Sequence, residues 1–359
     1  MKVLLTGASG AVGHGLLRYA PPQMRFAAIG RDFERIHPDL RGRVEFFFKG
    51  DLVRDGAGLS ERDRASLRDF KPQKIFHAAG CVKFDQKDAD EIRVTNFEGT
   101  IRMIDLARDL GAPEFHFIST AYAPLGRNPY EASKLAAEQA LRASGFACSI
   151  YRLGIVVGDS REQRIDGFNG YYGFLKLFDA LARSLVGHVR FGNKDGGVRL
   201  PVHVPCSEDS TLNLVPMDWL CRTFYGLQEE AVENEMFHLT HPAPRLAIEV
   251  MRHSLETLRV RGVRHETQIL KTDASDPELR RIQKILDAGL RRFAPYLREE
   301  PSFDISNVRK KLGDRFQPPP EMGDALLTKL LAFASSKNFG RRSIPPTFST
   351  PPDPHSLSR

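Results

Sequence analysis

The sequence predicts an α/β fold, in which a doubly wound parallel sheet is followed by a smaller, mostly C-terminal substrate-binding region. Two observations support this prediction. In the first half of the chain, short apolar runs typical of buried strands alternate with longer segments of helical periodicity. A glycine-rich turn also joins the first apolar run to the segment that follows it. Repeated strand–helix units of this kind require parallel strands with helices packed on both faces.

The predicted elements of the first half can be given in chain order. The strands are KVLLT, RFAAI, VEFFF, KIFHAA, EFHFIS and CSIYRLGIVV. The clearest helices between them are DEIRVTNFEGTIRMIDLARDL and YEASKLAAEQALRAS. We therefore assign residues 1–160 to a dinucleotide-binding sheet domain of the Rossmann type.

The regular alternation of predicted strands and helices ends at about Asp159. An aromatic stretch, GFNGYYGF, leads into the predicted helix LKLFDALARSL, and a loop-rich stretch containing DSTLNLVPMDWLCRTF follows. Two later segments, DPELRRIQKILDAGLRRF and DALLTKLLAFA, have helical periodicity. We assign residues 161–340 to the substrate-binding region, with a strand near 235–240 returning to the sheet. The Pro- and Ser-rich residues 341–359 are predicted to form a disordered tail.

Composition narrows the function classes. The net charge of +7 favours acidic partners, but the basic residues are spread along the chain, and no nucleic-acid recognition motif is evident. The four cysteines are far apart, which is typical of reduced thiols in a cytoplasmic protein. The chain starts directly with a predicted strand rather than a signal peptide, and its apolar runs are shorter than a membrane helix requires. Because His77, His116 and His203 have no ligand spacing, we assign no metal.

The glycine-rich turn predicts a dinucleotide site. Gly7, Gly10 and Gly13 lie between the first strand and a helix, in the order G-x-x-G-x-x-G. Glycines allow a tight turn and close backbone approach, and the helix N-terminus then faces a pyrophosphate.

The end of the second strand indicates which nicotinamide cofactor is used. Arg31 comes first there and Arg35 follows one turn later, which favours the 2′-phosphate of NADPH. Asp32 lies between them and would suit NADH, which we consider the less favoured cofactor. Asp51, at the end of the third strand, is placed either to accept a bond from the adenine amino group or to cap a turn.

A tyrosine and a lysine lie one helical turn apart in NPYEASKLAAEQ. Tyr130 and Lys134 share one helix face, and Asn128 with Pro129 predicts the start of that helix just before them. A nearby ammonium favours the phenolate form, so we expect Lys134 to lower the pKa of Tyr130. Taken alone, this spacing also fits an ordinary solvated helix face.

With the glycine turn, HAAG, STAY and the YxxxK pair in this order, the chain resembles the extended short-chain dehydrogenase/reductases over about residues 1–240. The resemblance implies that Thr120, Tyr130 and Lys134 form the catalytic set, with Ser119 as a helper. The cofactor-binding residues expected beside Tyr130 and Lys134 are Gly7, Ser9, Gly10, Ala11, Val12, Gly13, Arg31, Arg35, Asp51, Leu52, Ala78, Ala79, Gly80, Asn96, Leu153 and Ile155.

Within that superfamily, STAY, YEASK, YRLGIVVGDS and NLVPMDWL are most similar to the thioester-reductase and fatty-acyl-reductase branch. The resemblance implies NADPH-dependent reduction of an acyl group held on coenzyme A or on an acidic carrier protein. Relatives often pair, so a homodimer is one of the oligomeric states that stay open. Two alternatives stay open. One is a sterol or alcohol dehydrogenase, or a sugar-nucleotide epimerase, of the same superfamily. The other is a non-catalytic dinucleotide-binding sensor or scaffold, although such proteins commonly lose the tyrosine or lysine that this chain keeps.

The second half of the chain offers further candidates. Aromatic residues in and after GFNGYYGF either wall the substrate pocket or belong to ordinary core; they are Tyr171, Tyr172, Phe174 and Phe178. A basic helix either docks an acidic carrier or forms a solvated face; its arginines are Arg280, Arg281, Arg291 and Arg292. The amphipathic segment DALLTKLLAFASSKNFGRR permits peripheral membrane contact, but packing on the domain is the favoured use.

Overall fold

A computed structural model of the protein describes residues 1–193, 196–229, 234–266 and 276–341. The strands, in chain order, are β1 Lys2–Thr6, β2 Arg25–Gly30, β3 Val44–Lys49, β4 Lys74–His77, β5 Glu114–Thr120, β6 Ala147–Leu153, β7 Ile155–Val156, β8 Val198–Arg199, β9 His203–Pro205, β10 Thr211–Leu212, β11 Leu214–Val215, β12 Met236–Leu239, β13 Arg245–Leu246, β14 Val260–Arg261 and β15 Arg264–Glu266. The α-helices are α1 Ala11–Tyr19, α2 Pro38–Arg41, α3 Glu61–Phe70, α4 Ala89–Ile92, α5 Gly99–Asp109, α6 Pro129–Ala143, α7 Tyr171–Leu185, α8 Met217–Gly226, α9 Ala247–Thr257, α10 Pro277–Leu290, α11 Ala294–Arg298, α12 Ser306–Leu312 and α13 Asp324–Ser336.

The main sheet has the strand order β12-β6-β5-β4-β1-β2-β3, and its neighbouring strands pair in parallel. The predicted doubly wound α/β fold is therefore confirmed, and the six apolar runs of the first half form β1 to β6. The strand order reverses between β1 and β4, where Thr6 lies opposite His77. Ligands of such sheets bind at the carboxyl ends of the strands beside this reversal.

The chain crosses back to the main sheet from its second half. β12 pairs with β6 in parallel, with Met236 opposite Ile150 and Leu239 opposite Leu153. Two apolar clusters cover the faces of the main sheet, one with Leu16 and Phe224, the other with Met103 and Leu141. A third cluster is formed by described, buried residues that lie between Val157 and Phe339 in the sequence.

The expectation of a loop-rich stretch around DSTLNLVPMDWLCRTF is wrong, because the segment contains β10, β11 and the helix α8. Met217, Leu220, Cys221 and Phe224 are buried along one face of α8, with the spacing i, i+3, i+4, i+7 that amphipathic helices show. Trp219 is also buried, and its indole nitrogen donates to the Gln317 carbonyl at 2.7 Å.

The amphipathic helix α13 packs on the domain. Its buried residues Leu327, Leu330, Leu331 and Ala334 belong to the third cluster. Within the ranges that the structure describes, no helix has the length and apolar character needed to cross a membrane. The predicted tail, residues 341–359, lies outside the described residues except for Arg341.

Candidate active site

The turn between β1 and α1 depends on two glycines. Gly7 has φ +77°, and a Cβ added there would lie 2.6 Å from the backbone of Ala78. A Cβ on Gly13 would lie 2.0 Å from the Gly7 carbonyl oxygen. Gly10 caps the helix, and its N–H donates to that same oxygen at 2.9 Å. Gly10, Ala11 and Val12, at the start of α1, line the cavity described below, and this glycine turn fits a dinucleotide pyrophosphate.

A buried histidine holds the loop after β4 beside this turn. The two ring nitrogens of His77 lie 2.7 Å from Thr6 Oγ1 and 3.1 Å from Thr100 Oγ1. Burial and, to a smaller extent, the charge of Lys134 together lower the pKa of His77 to about 3, so this ring is neutral. Thr6 Oγ1 also accepts from the Ala79 N–H at 3.3 Å. His77 is therefore a structural residue that keeps residues 78–80 in place.

Asn96 lies in a π-helical segment, Arg93–Glu98, between α4 and α5. Its side chain accepts from the Cys81 N–H at 2.6 Å and donates to the Cys81 carbonyl at 3.1 Å. It also donates to Ser133 Oγ at 3.0 Å, and Ser133 Oγ donates to the Tyr130 carbonyl at 2.8 Å. These bonds tie the loop after β4 to α6, and direct contact between Asn96 and a cofactor stays a prediction.

Tyr130 and Lys134 lie in the first two turns of α6. The side chain of Asn128 caps this helix by accepting from the Glu131 N–H at 3.0 Å. Lys134 Nζ donates to the Ile118 carbonyl at 2.8 Å and lies 4.5 Å from the centre of the Phe117 ring. The predicted trio of Thr120, Tyr130 and Lys134 thus comes together at the end of β5, where all three line one cavity.

The ionisation of this pair differs from the expectation. Burial raises the pKa of Tyr130, and the nearby Glu131 and Cys81 add to the rise. The prediction that Lys134 lowers the pKa of Tyr130 is therefore wrong, because desolvation of the phenolate is the larger effect. Burial lowers the pKa of Lys134 to about 8, while the charge of Glu138 opposes that change. Tyr130 consequently keeps its proton at neutral pH, as a general acid must.

Ser119 makes a specific hydrogen bond inside the site. Its hydroxyl donates to Glu138 at 2.5 Å, and the other Glu138 oxygen accepts from Arg152 at 2.6 Å. Ser119 borders the cavity, but its hydroxyl is bound to this buried ion pair. The helper role predicted for Ser119 stays a prediction.

The cavity has a volume of about 320 Å³ and two contrasting sides. We call the side formed by the glycine turn and the ends of the main strands the cofactor side. The predicted site residues that line the cavity are Gly10, Ala11, Val12, Ala78, Gly80, Ser119, Thr120, Tyr130, Lys134, Leu153 and Ile155. The predicted residues that lie outside its lining are Gly7, Ser9, Gly13, Arg31, Arg35, Asp51, Leu52, Ala79 and Asn96.

The predicted 2′-phosphate residues lie further out, at the end of β2. Arg31 and Arg35 are exposed. The carboxylate of Asp32 accepts from the Glu34 N–H at 3.0 Å and so caps a short turn. Asp51 similarly accepts from the Val53 N–H at 3.3 Å, and the adjacent Leu52 is buried.

We call the opposite side of the cavity the apolar wall. Of the four aromatic residues predicted as wall or core, Tyr171 and Phe174 line it, whereas Tyr172 and Phe178 are buried in the core beyond it. Sequence reasoning missed most of the other members, which are Val82, Phe84, Tyr122, Leu212, Met251, Phe293, Tyr296 and Leu297. Val82, Phe84 and Tyr122 follow the carboxyl ends of β4 and β5, and that position could have identified them.

A buried ion pair connects this wall to α6. Glu131 is fully buried and accepts from Arg127 Nη2 at 2.9 Å. The same guanidinium donates to the carbonyls of Pro295 at 3.4 Å and Glu299 at 3.2 Å, and it lies 4.2 Å from the centre of the Tyr296 ring. Asn128, the residue after Arg127, also contacts this wall, since its Nδ2 donates to the Tyr296 hydroxyl at 2.9 Å.

The chain matches the model of an NAD-binding family described as male sterility protein over residues 23–128 and 123–224, which together cover more than half of it. The chain belongs to this family. It is an NAD(P)-dependent oxidoreductase of the extended short-chain dehydrogenase/reductase type, in the thioester-reductase-like branch. No curated protein shows significant sequence similarity to it.

Solved structures share the fold at low sequence identity. The terminal R domain of the myxalamid PKS-NRPS pathway is 21% identical, with 94% of this chain and 91% of that one covered and a TM-score of 0.72. The thiolation-reductase di-domain of an archaeal non-ribosomal peptide synthetase is 16% identical, with 95% and 76% covered and a TM-score of 0.68. UDP-glucose 4-epimerase of Thermotoga maritima is 14% identical, with 94% and 99% covered and a TM-score of 0.61.

Other features of the described chain bear on the remaining expectations. Among the described residues, no group of three or more His, Cys, Asp or Glu side chains is placed to hold a metal ion. On α10, Arg281 is exposed, and after that helix Arg291 is exposed while Arg292 lies 3.5 Å from Asp85. Arg280 also lies on an exposed position of the helix.

Proposed function

We propose that the protein uses NADPH to reduce an acyl thioester, held on coenzyme A or on a carrier protein, to an aldehyde or alcohol. The observation that carries this proposal is the apolar wall directly beside Thr120, Tyr130 and Lys134. Of the described residues that line the cavity, Lys134 is the only one with a charged side chain. A sugar nucleotide brings a diphosphate and many hydroxyls, which need charged and hydrogen-bonding partners when they are buried. An acyl chain needs none.

The cofactor side of the cavity would bind and orient the dinucleotide. The N–H groups at the start of α1 would hold its pyrophosphate, and the room left by Gly7 and Gly13 allows that close approach. Lys134 uses one of its three donors on Ile118, so others can bond the nicotinamide ribose. When bound, the cofactor supplies the hydride that the reaction needs.

Tyr130 and Thr120 would act on the substrate carbonyl. As a hydride adds to the carbonyl carbon, negative charge develops on its oxygen, and donors aimed at that oxygen lower the barrier. Thr120 would donate a hydrogen bond there, and Tyr130 would transfer its phenolic proton as general acid. The resulting hemithioacetal breaks its carbon–sulfur bond, releasing an aldehyde and a thiol. A second reduction of the aldehyde gives the alcohol.

The charges at the end of β2 favour NADPH over NADH. Arg31 and Arg35 are exposed and available to a 2′-phosphate. The carboxylate of Asp32 is the group that would otherwise suit the ribose hydroxyl of NADH. One of its two oxygens already accepts from the Glu34 N–H.

Delivery of the acyl group on a carrier protein is part of the proposal. Two of the similar structures are a terminal R domain and a thiolation-reductase di-domain of biosynthetic assembly lines. The exposed arginines of α10 and of the turn after it, including Arg281 and Arg291, offer positive charge to an acidic carrier.

The test is NADPH oxidation with a panel of coenzyme A thioesters, matching aldehydes, a ketosteroid and a UDP-sugar, with NADH in parallel. We expect turnover with thioesters and a preference for NADPH. Turnover with the ketosteroid or with aldehydes alone would replace the proposal with a carbonyl or alcohol dehydrogenase. Conversion of the UDP-sugar without net NADPH consumption would replace it with an epimerase, and tight NADPH binding with no turnover would favour a sensor.

A further inference from the structure

The apolar wall presents aromatic rings to the cavity, while the hydroxyl groups on those rings are bonded elsewhere. The Tyr122 hydroxyl donates to Glu300 at 2.5 Å, and the Tyr171 hydroxyl lies 2.6 Å from Ser254 Oγ. The Tyr296 hydroxyl accepts from Asn128 at 2.9 Å. Because each hydroxyl is bonded within the protein, the tyrosines of the wall offer a substrate mainly the faces and edges of their rings.

One part of the cavity, which we call its far end, is lined by packed core side chains. Phe174, Leu212, Met251 and Leu297 line it there and are each at most 5% exposed. The ring of Phe174 also packs at a tilt against the buried ring of Phe178, with 5.1 Å between their centroids. A longer occupant would have to displace these side chains, and overpacking of a core is unfavourable.

Aromatic rings also border the side of the cavity next to the catalytic tyrosine. The ring of Phe84 lies edge-to-face with Tyr130, at 5.7 Å between centroids, and 5.9 Å from Tyr296. Phe293 lies 6.3 Å from Phe84 and 6.1 Å from Phe174, so the rings form a continuous border from Tyr130 to the far end. A substrate ring in the cavity would find edge-to-face partners among these side chains, and aromatic pairs favour such contacts at similar separations.

The volume of the cavity sets a size limit. Ligand pockets commonly measure about 300–1,000 Å³. This cavity, at about 320 Å³, lies at the low end of that range, and it extends from the glycine turn to Met251. The nicotinamide end of the cofactor and the reacting acyl group must share it.

From this geometry we propose that the acyl group is compact, apolar and ring-bearing, such as an arylacyl group, and that Phe174 sets its length limit. The inference rests on the proposed function and adds the substrate class to it. Long unbranched acyl chains are excluded by the packed far end.

The test compares kcat/KM for benzoyl-coenzyme A and hexadecanoyl-coenzyme A in the full chain, with octanoyl-coenzyme A as an intermediate length. We expect the benzoyl thioester to be favoured over the hexadecanoyl thioester by about tenfold or more, the range that small size differences confer in apolar pockets. Equal or better reduction of the hexadecanoyl thioester would overturn the inference and leave the proposed function intact.

A matched pair of variants tests the role of Phe174. Phe174→Leu shortens a side chain that lines the cavity, whereas Phe178→Leu makes the same change one turn later, behind the lining. We expect Phe174→Leu to raise the octanoyl-to-benzoyl ratio of kcat/KM about tenfold and Phe178→Leu to leave it within about twofold. Equal shifts in the two variants would overturn the assignment, because a ratio of substrates is insensitive to a general loss of folded protein.

Rejection of thioester reduction can be distinguished from rejection of the size limit. If the protein reduces aldehydes but no thioester, the proposed thioester reaction is wrong. The same ratios, measured with benzaldehyde, octanal and hexadecanal, then test the size limit directly. Unselective reduction of those aldehydes would overturn the inference on its own evidence.

Discussion

The two sides of the cavity are built in opposite ways. The cofactor side comes from short, contiguous segments: the turn from Gly7 to Gly13, residues 78–80 after β4, and the first turns of α6. The apolar wall gathers single residues from distant segments, such as Phe84, Leu212, Met251 and Tyr296. The residues of the cofactor side thus belong to local sequence motifs, whereas the residues that contact the substrate are brought together by tertiary packing.

The largest expected effect is at the point where the two sides meet. Replacing Tyr130 by Phe removes the phenolic proton and keeps the ring beside Phe84, so we expect kcat to fall about 10²–10⁴-fold with NADPH affinity little changed. Turnover numbers and cofactor binding measured by fluorescence check this. Tyr151→Phe is the matched control, because that buried hydroxyl bonds His116 away from the cavity. Near-normal turnover in Tyr130→Phe would remove the residue from the mechanism.

A methyl group added to the glycine turn should damage the cofactor side alone. In Gly13→Ala the new Cβ meets the Gly7 carbonyl oxygen at 2.0 Å, so the turn and α1 must separate. We expect this change to cost about 3 kcal/mol of binding free energy, which lowers the affinity for NADPH about a hundredfold. Isothermal titration measures it. Gly42→Ala, where a Cβ meets nothing within 4 Å, should bind like the parent, and equal losses in both variants would contradict the role of the glycine turn.

The ion pair between Arg127 and Glu131 should contribute both to the stability of the protein and to the position of the apolar wall. Arg127→Gln leaves the fully buried Glu131 carboxylate without its partner, which costs about 3–5 kcal/mol of unfolding free energy. Denaturant unfolding measures this loss. Because the guanidinium also holds residues 295–299, KM for the acyl substrate should rise more than KM for NADPH.

Removing both charges separates these two effects. In the double variant Arg127→Gln/Glu131→Gln no charge is left unpaired, so much of the stability should return while KM for the acyl substrate stays high. If the double variant is as unstable as Arg127→Gln, the unpaired carboxylate is not the cause of the loss.

The smallest effect is a pH dependence on the cofactor side. Lys134 is charged below its pKa, which burial lowers to about 8, so the charged fraction falls as the pH rises through that value. We expect kcat/KM for NADPH to decline above pH 8 by up to about tenfold per unit. The Tyr130 proton is retained across this range because its pKa is raised. A profile that stays flat to pH 10 would contradict this assignment.

A substitution near Lys134 tests the origin of that pH limit. The charge of Glu138 raises the pKa of Lys134 and so opposes the effect of burial. In Glu138→Gln the decline should therefore begin at lower pH. An unchanged midpoint would assign the titration to another group.

The fold and the grouping of Thr120, Tyr130 and Lys134 around one cavity were predictable because their signals are local. Buried parallel strands are apolar runs, and the positions of Gly7, Tyr130 and Lys134 are fixed by spacing within one turn or helix. The pKa of Tyr130 was predicted in the wrong direction, because burial of the phenol depends on Phe84 and other residues that no motif contains. Met251 and Tyr296 likewise carry no signal in the sequence, since only the packing of α9 and α11 brings them to the cavity.

The remaining assignments stay predictions. The boundary at residue 160 is one of them, since β12 returns to the main sheet from the second half of the chain. The homodimer, the carrier protein and the preference for NADPH are others.

Hydride transfer to a thioester is tested directly with NADPH carrying deuterium at the transferred position and benzoyl-coenzyme A as substrate. Mass spectrometry of the product then follows the label. We expect deuterium on the former carbonyl carbon of the aldehyde or alcohol, one atom for each reduction step, and almost none in Tyr130→Phe over the same time. Unlabelled product, or no consumption of the thioester while NADPH is bound, would contradict hydride transfer to a thioester in this cavity.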